Sequence, residues 1–330
     1  MTPEKKKRAR LFLILTVLFF LGMMFSLSYG PATTDLKDFW AFISQRSSVH
    51  SAIFQIRLTR AILAFLVGSS LSLSGAILQG YFQNPMAGPF VVGVSSGASF
   101  GAVLSIQLGM TFGFLGLSLQ SIFAFASGFS IVYFVYLLSQ KKGVFKVETL
   151  LLTGIAAGAL ASALTSLLIF LRSDSYEQAV FWLLGSFHNA DWHQISAIFP
   201  YFLVSFLIAH GLAKDMNLLV LGDNTAQSLG CPVKKRRKVF LALATLLAAA
   251  AVSVSGIIGF VGLIVPHWVR LLIGPDHRYL FFYSSLTGGV FLVFCDSMAK
   301  NILPSTELPI GIITAVIGAP FFIYLLNQNR

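Results

Sequence analysis

Apolar residues run along this chain in blocks about as long as a bilayer is thick. A spanning helix needs about 20 mostly apolar residues. Ten blocks meet or approach that length: residues 11–29, 61–82, 90–108, 115–139, 150–171, 195–212, 239–255, 256–273, 280–299 and 309–326. The stretch 239–273 is too long for one crossing. Ser253, Ser255, Gly256, Gly259 and Gly262 interrupt it, so it reads as two short helices with a tight turn near Gly256. The first block follows a basic segment, as the apolar part of a signal peptide does. It lacks a small-residue cleavage site and reads as a retained span. The expected fold is all-α and polytopic, about ten transmembrane helices in a single domain over residues 1–330.

Charge agrees with this. Only 11% of the residues are charged, against about 25% in a soluble domain. Too little charge is present to cover a water-facing surface, which argues against a soluble enzyme or a nucleic-acid-binding domain. The net charge of +11 has to be placed relative to the bilayer. With both termini cytoplasmic, the inner segments hold 17 of the 23 Lys and Arg residues. These include the tail 1–10 and the loop 213–238. That asymmetry follows the positive-inside rule and accounts for the net charge without nucleic acid. Of the outer cations, Arg57 and Arg60 flank the start of the second span at i,i+3, on one helix face. They read either as interfacial snorkelling or as a docking point for an acidic soluble partner.

Catalytic signatures are missing. No phosphate-binding loop G-x-x-x-x-G-K-[ST] occurs. Neither does H-E-x-x-H. Cys231 and Cys295 form no disulfide framework, and the six histidines have no metal-ligand spacing. Among the acidic residues only Asp296 lies inside an apolar run, with Lys300 at i+4 as a salt-bridge partner. An ion-gradient-driven secondary transporter, the alternative reading, usually keeps free carboxylates or histidines near mid-membrane. The loop 213–238 contains a short helical pattern at 223–229. Asp223 or Asn224 is placed to cap it, and Gly230 with Pro232 stops it. It reads either as a solvated loop that fixes topology or as a helix that inserts into a partner's groove.

Three stretches carry a family resemblance. RLTRAILAFLVGSSLSLSGAILQGYFQNPMAGPFVVGVSSGASFGAVL (57–104), LGDNTAQSLGCPV (221–233) and the C-terminal segments GFVGLIVPHWVRLLIGPDHR (259–278) and ELPIGIITAVIGAPFFIYLL (307–326) occur in order. Together they resemble the FecCD-family permease subunits of binding-protein-dependent ABC importers for iron–siderophore complexes, haem and cobalamin. The resemblance implies a type II ABC importer permease fold in the cell membrane, without catalytic activity or cofactor of its own. It implies two ATPase subunits that bind ATP and Mg, a second permease copy or paralogue, and an extracytoplasmic substrate-binding protein.

Site residues follow from the same resemblance. Arg57, Arg60 and Lys300 match the docking cations that meet the binding protein. Lys300 falls where cobalamin permeases carry a third docking arginine and keeps the charge but loses the bidentate geometry, and Thr59 stands where a proline is usual. Asn84, Pro85 and Met86 match the turn of the cytoplasmic gate. Gly222, Asp223, Ala226, Leu229 and Gly230 match the helix that couples to the ATPase. The fifth span would line the translocation path. Its Gly154, Gly158, Ser162 and Thr165 lie at helical spacing. They either leave room for a large cargo or pack helices closely. Arg172 follows at the outer mouth, where a cation would favour an anionic cargo. A ferric siderophore is the first cargo expected, then haem and cobalamin.

Overall fold

The computed structural model describes residues 3–29, 49–109, 113–114, 117–141, 144–145, 147–172, 175–303 and 306–328. These residues form thirteen α-helices. In chain order they are α1 (Pro3–Ser28), α2 (Val49–Tyr81), α3 (Val94–Gln107), α4 (Leu119–Leu138), α5 (Val147–Leu171), α6 (Tyr176–Leu184) and α7 (Trp192–Gly211). Then come α8 (Ala213–Val220), α9 (Asp223–Ser228), α10 (Val233–Ser255), α11 (Val261–Ile273), α12 (His277–Asn301) and α13 (Ile310–Gln328). A 3-10 turn, Pro89–Val92, leads into α3. The strands among the described residues are two minimal hairpins, 113–114 with 117–118 and 140–141 with 144–145.

Each of the ten apolar blocks contains a helix. Among the described residues seven helices are long and apolar enough to cross a membrane. At 1.5 Å per residue, the 14 residues of α3 and 13 of α11 reach only about 20 Å each, against a hydrocarbon core of about 30 Å. The expected break near Gly256 is present: α10 stops at Ser255 and α11 starts at Val261. Gly256 takes φ 70°, and Phe260 takes φ 67°, rare for a bulky residue. The backbone around this break is held from both sides. Ser186 N donates to Ser255 O (2.9 Å) and Ile310 N to Gly185 O (3.0 Å).

Two features differ from expectation. Helix α2 begins at Val49, well before residue 61, and α6 falls between two expected spans. From residue 61 to its end, α2 is buried on nearly all sides, as a helix surrounded by others is. It forms the centre of the molecule against α7, α10, α11 and α12. Two glycine pairs permit this: a Cβ at Gly68 would overlap the Gly288 backbone of α12, and one at Gly75 would overlap Gly262 of α11. Around this centre, α1, α4, α5 and α7 leave large apolar side chains uncovered, among them Phe20, Tyr133, Phe170 and Leu207. In a chain that spans a membrane, such a periphery faces lipid or another subunit.

Candidate functional site: two polar ends of a helical bundle

The end that carries α8, α9 and the basic start of α10 is the more elaborately built. Gly222 (φ 102°) and Gly230 (φ 84°) turn the chain on either side of α9 in conformations that favour glycine. Ala226, on the inner face of α9, is fully buried, and its carbonyl accepts from Cys231 N (3.0 Å). Leu221 and Leu229, by contrast, are 60% and 59% exposed. Burial pushes the Cys231 thiol above its ordinary range, so it stays protonated. The expected 223–229 helix therefore exists, but its capping differs. Gly222, which has no side chain to offer, occupies the cap position, and the Asp223 carboxylate pairs with Arg237.

Arg237 connects this helix to the centre of the bundle. Its Nε donates to Asp223 Oδ1 (2.9 Å) and its Nη2 pairs with the same carboxylate (2.5 Å). Its Nη1 donates to Tyr81 O (2.9 Å), at the last turn of α2. A cation on the final carbonyls of a helix also meets the negative end of its dipole. Immediately beyond lies the turn of Asn84, Pro85 and Met86. Asn84 Oδ1 accepts from Met86 N (2.9 Å), an Asx turn, and Gln83 Nε2 donates to Leu219 O of α8 (2.8 Å). On the other side of α8, Asn217 Nδ2 donates to Asp276 Oδ1 (2.8 Å) and Asn217 Oδ1 accepts from His277 N (2.9 Å). The hydrogen bond from the Arg278 side chain, helped by Asn217 and Arg278 N and opposed by burial, holds the Asp276 carboxyl well below the usual carboxylate range. Arg237 and Asn217 escaped the sequence reading. The signal for Arg237 was available: residues 233, 237, 240, 241 and 244 form one apolar stripe with Arg237 inside it.

At the opposite end the expected docking cations are buried. Arg57 and Arg60 are each 7% exposed and Lys300 is 5% exposed. Arg57 Nη1 donates to Leu27 O of α1 (2.7 Å). Arg60 holds Asp296 through Nε (3.0 Å) and Nη2 (2.9 Å), and Glu307 through Nη1 (2.6 Å). Lys300 Nζ reaches Asp296 Oδ2 (3.1 Å), the i,i+4 pair expected from the sequence, and donates to Ser26 Oγ (3.0 Å). These cations are therefore not a free surface patch. The reason is the early start of α2, which sets both arginines inside the helix against α1 and α12. Thr59 Oγ1 donates to Ile56 O (2.9 Å), so helix α2 runs through the position where proline was expected. Beside this network lies a cavity of about 540 Å³, lined by Arg60, Trp182, His188 and Glu307.

The small residues of α5 also turn out to pack helices. Gly154 faces the backbone of Val91 and Val92, Gly158 faces Gly93 and Ser96, and Thr165 is buried, donating to Ala161 O (2.8 Å). Only Ser162 of the four is exposed. Arg172 donates to Gln107 O and ties the end of α5 to the end of α3. Among the described residues no three His, Cys, Asp or Glu side chains group as metal ligands.

Comparison with known proteins adds a family context. The model of the FecCD transport family matches residues 16–328. The cobalamin import system permease protein BtuC of Halobacterium salinarum is 46% identical over 83% of this chain and 73% of that protein. The iron(3+)-hydroxamate import system permease protein FhuG of Bacillus subtilis is 37% identical over 96% and 95%. A solved structure described as an inward-facing conformation of a metal-chelate type ABC transporter superposes with a TM-score of 0.86. It is 35% identical and covers 97% of this chain and 99% of its own.

Proposed function

Because this chain belongs to the FecCD transport family and is a multi-span membrane permease of the ABC importer type, we propose that it is the non-catalytic half of an ATP-driven importer for an organic metal chelate. The observation that carries this reading is α9. It is a short helix between two positive-φ glycines, with Leu221 and Leu229 projecting and Ala226 anchored beneath. Two exposed apolar side chains on a rigid polar end suit the groove of a soluble partner.

In this reading the end with α8 and α9 is cytoplasmic, as are both termini. Leu221 and Leu229 enter an ATPase subunit, which binds ATP and Mg. Gly222, Asp223 and Gly230 hold the helix in shape. Motion of α9 passes through Arg237 to the end of α2 and the gate turn of Asn84, Pro85 and Met86. Two such permeases with two ATPases enclose the path, and α5 contributes its exposed face, Ser162 included. Gly154 and Gly158 set its distance from the 3-10 turn and the start of α3, and Thr165 is buried along the same helix. At the opposite end a binding protein docks on a rim that Arg57, Arg60 and Lys300 keep in shape. Arg172 lies at the outer mouth of the path, where its charge favours an anionic chelate. Neutralisation of Asp296 by Arg60 and Lys300 leaves it poorly suited to carry a coupling proton, which supports ATP as the driving force. Cobalamin and ferric hydroxamate, the cargoes named for the two relatives, are both bulky chelates of one metal ion. A ferric siderophore remains our first candidate, with haem and cobalamin tested beside it.

The test is co-purification with the ATPase and binding protein encoded beside this chain, then ATPase measurement in liposomes with each cargo. Stimulation by one loaded binding protein is expected. Leu221→Glu with Leu229→Glu should abolish ATPase association while the permease stays folded. Association that survives both substitutions overturns the coupling assignment.

A further inference from the structure

On the periphery of the bundle, α4 and α10 enclose an apolar groove of about 230 Å³. Helix α4 contributes Phe129, Val132, Tyr133 and Tyr136, and α10 contributes Lys238, Leu241, Ala242 and Thr245. Both sets follow the i, i+3, i+4, i+7 spacing of one helix face, so each wall is about 10 Å long. The walls make almost no polar demand, since the Thr245 hydroxyl is spent on Leu241 O (2.8 Å). The one charge is at the basic end, where Lys238 Nζ lies 5.8 Å from the centre of the Tyr136 ring. Lys234 and Lys235 stand one turn away on the same helix and are exposed. Among the described residues none of these three lysines forms an ion pair.

We propose that this groove is a binding site for one anionic phospholipid of the basic-end leaflet, its acyl chain between α4 and α10 and its phosphate on Lys238. A long apolar slot ending in a cation beside an aromatic ring matches that amphiphile. A neutral soluble ligand would bring no counter-charge to Lys238. Basic side chains next to a bilayer attract anionic headgroups over a short range, and the groove converts that diffuse attraction into a fixed site. The inference depends only on the chain's spanning a membrane, not on ATPase coupling or cargo.

The test uses the full-length permease in detergent, doped with equal amounts of dioleoylphosphatidylglycerol and dioleoylphosphatidylcholine. Native mass spectrometry counts the lipids retained. Preferential retention of one phosphatidylglycerol is expected. Lys238→Glu should reduce it at least about fivefold, the loss of one juxtamembrane charge contact. Lys238→Arg should restore it, and Ala242→Trp, which fills the slot, should remove it without changing the charge. Equal retention of both lipids overturns the proposal. So does a loss after Lys5→Glu, on exposed α1, as large as that after Lys238→Glu, because attraction would then be diffuse. A variant that elutes as an aggregate is replaced by Leu241→Trp, which blocks the same slot from its other edge.

Discussion

Asp296→Asn gives the sharpest test of the buried charges at the end opposite α9. Asp296 is 1% exposed, and it faces two cations, Arg60 and Lys300, themselves almost fully buried. With Glu307 the four charges balance. Asparagine keeps the volume and removes the charge. Among the described residues Arg60 then keeps one counter-charge, Glu307, and Lys300 keeps none beside its bond to the Ser26 hydroxyl. Breaking a buried pair by removing one partner costs about 3–5 kcal/mol, mostly because a charge is left uncompensated. The same argument requires a rescue: Lys300→Met on top of Asp296→Asn removes the stranded cation and should recover about half of that loss. Glu307→Gln should cost about 1 kcal/mol or less, because that carboxylate is 32% exposed and water can replace it. The assay is unfolding of the purified permease in mixed micelles by titration with denaturing detergent, without any partner protein. A loss under about 1 kcal/mol for Asp296→Asn, or no gain from Lys300→Met, would refute the structural role. Arg60 and Lys300 would then act by contact with the binding protein alone, and only binding-protein-stimulated ATPase activity would fall.

Further outcomes follow from the rest of the bundle. Arg237→Met should destabilise by about 3 kcal/mol, since it removes both a charge-assisted hydrogen bond to the Tyr81 carbonyl and the pair with Asp223, whereas Asp223→Asn, on a half-exposed carboxylate, should cost about 1 kcal/mol; equal losses in the same unfolding assay would remove Arg237 as a link to α2. Gly75→Ala should prevent α2 from reaching α11 and abolish folded permease, seen as loss of the monodisperse peak in size-exclusion chromatography, while Gly211→Ala, which meets open space, should leave that peak unchanged. Asp276 has a depressed folded-state pKa, so its contribution is fully present above the ordinary carboxylate range and is lost as pH falls through the folded value. The stability gap between the native chain and Asp276→Asn should therefore be full at pH 7 and shrink below about pH 4; a gap independent of pH would contradict the assignment.

That the chain is helical and crosses a membrane several times was legible in the sequence, because this depends on the length of apolar runs, and the family was legible from contiguous stretches. The 239–273 break was legible for the same reason: serine and glycine interrupt a run too long for one crossing. The α9 segment could be read from its glycines and proline. Which charges are buried could not. Arg57 and Arg60 look like rim cations until α2 is seen to start at Val49, and Arg237 is one cation in a run of five until the fold turns it inward. Gly154 and Gly158 have the spacing that suits either a wide path or a close contact, and only the position of α3 decides for contact. Hydropathy is a property of each residue in turn, so the chain displays it along its length. Charge pairing and helix–helix contact depend on residues hundreds of positions apart, such as Arg60 and Asp296, and exist only once the helices have packed.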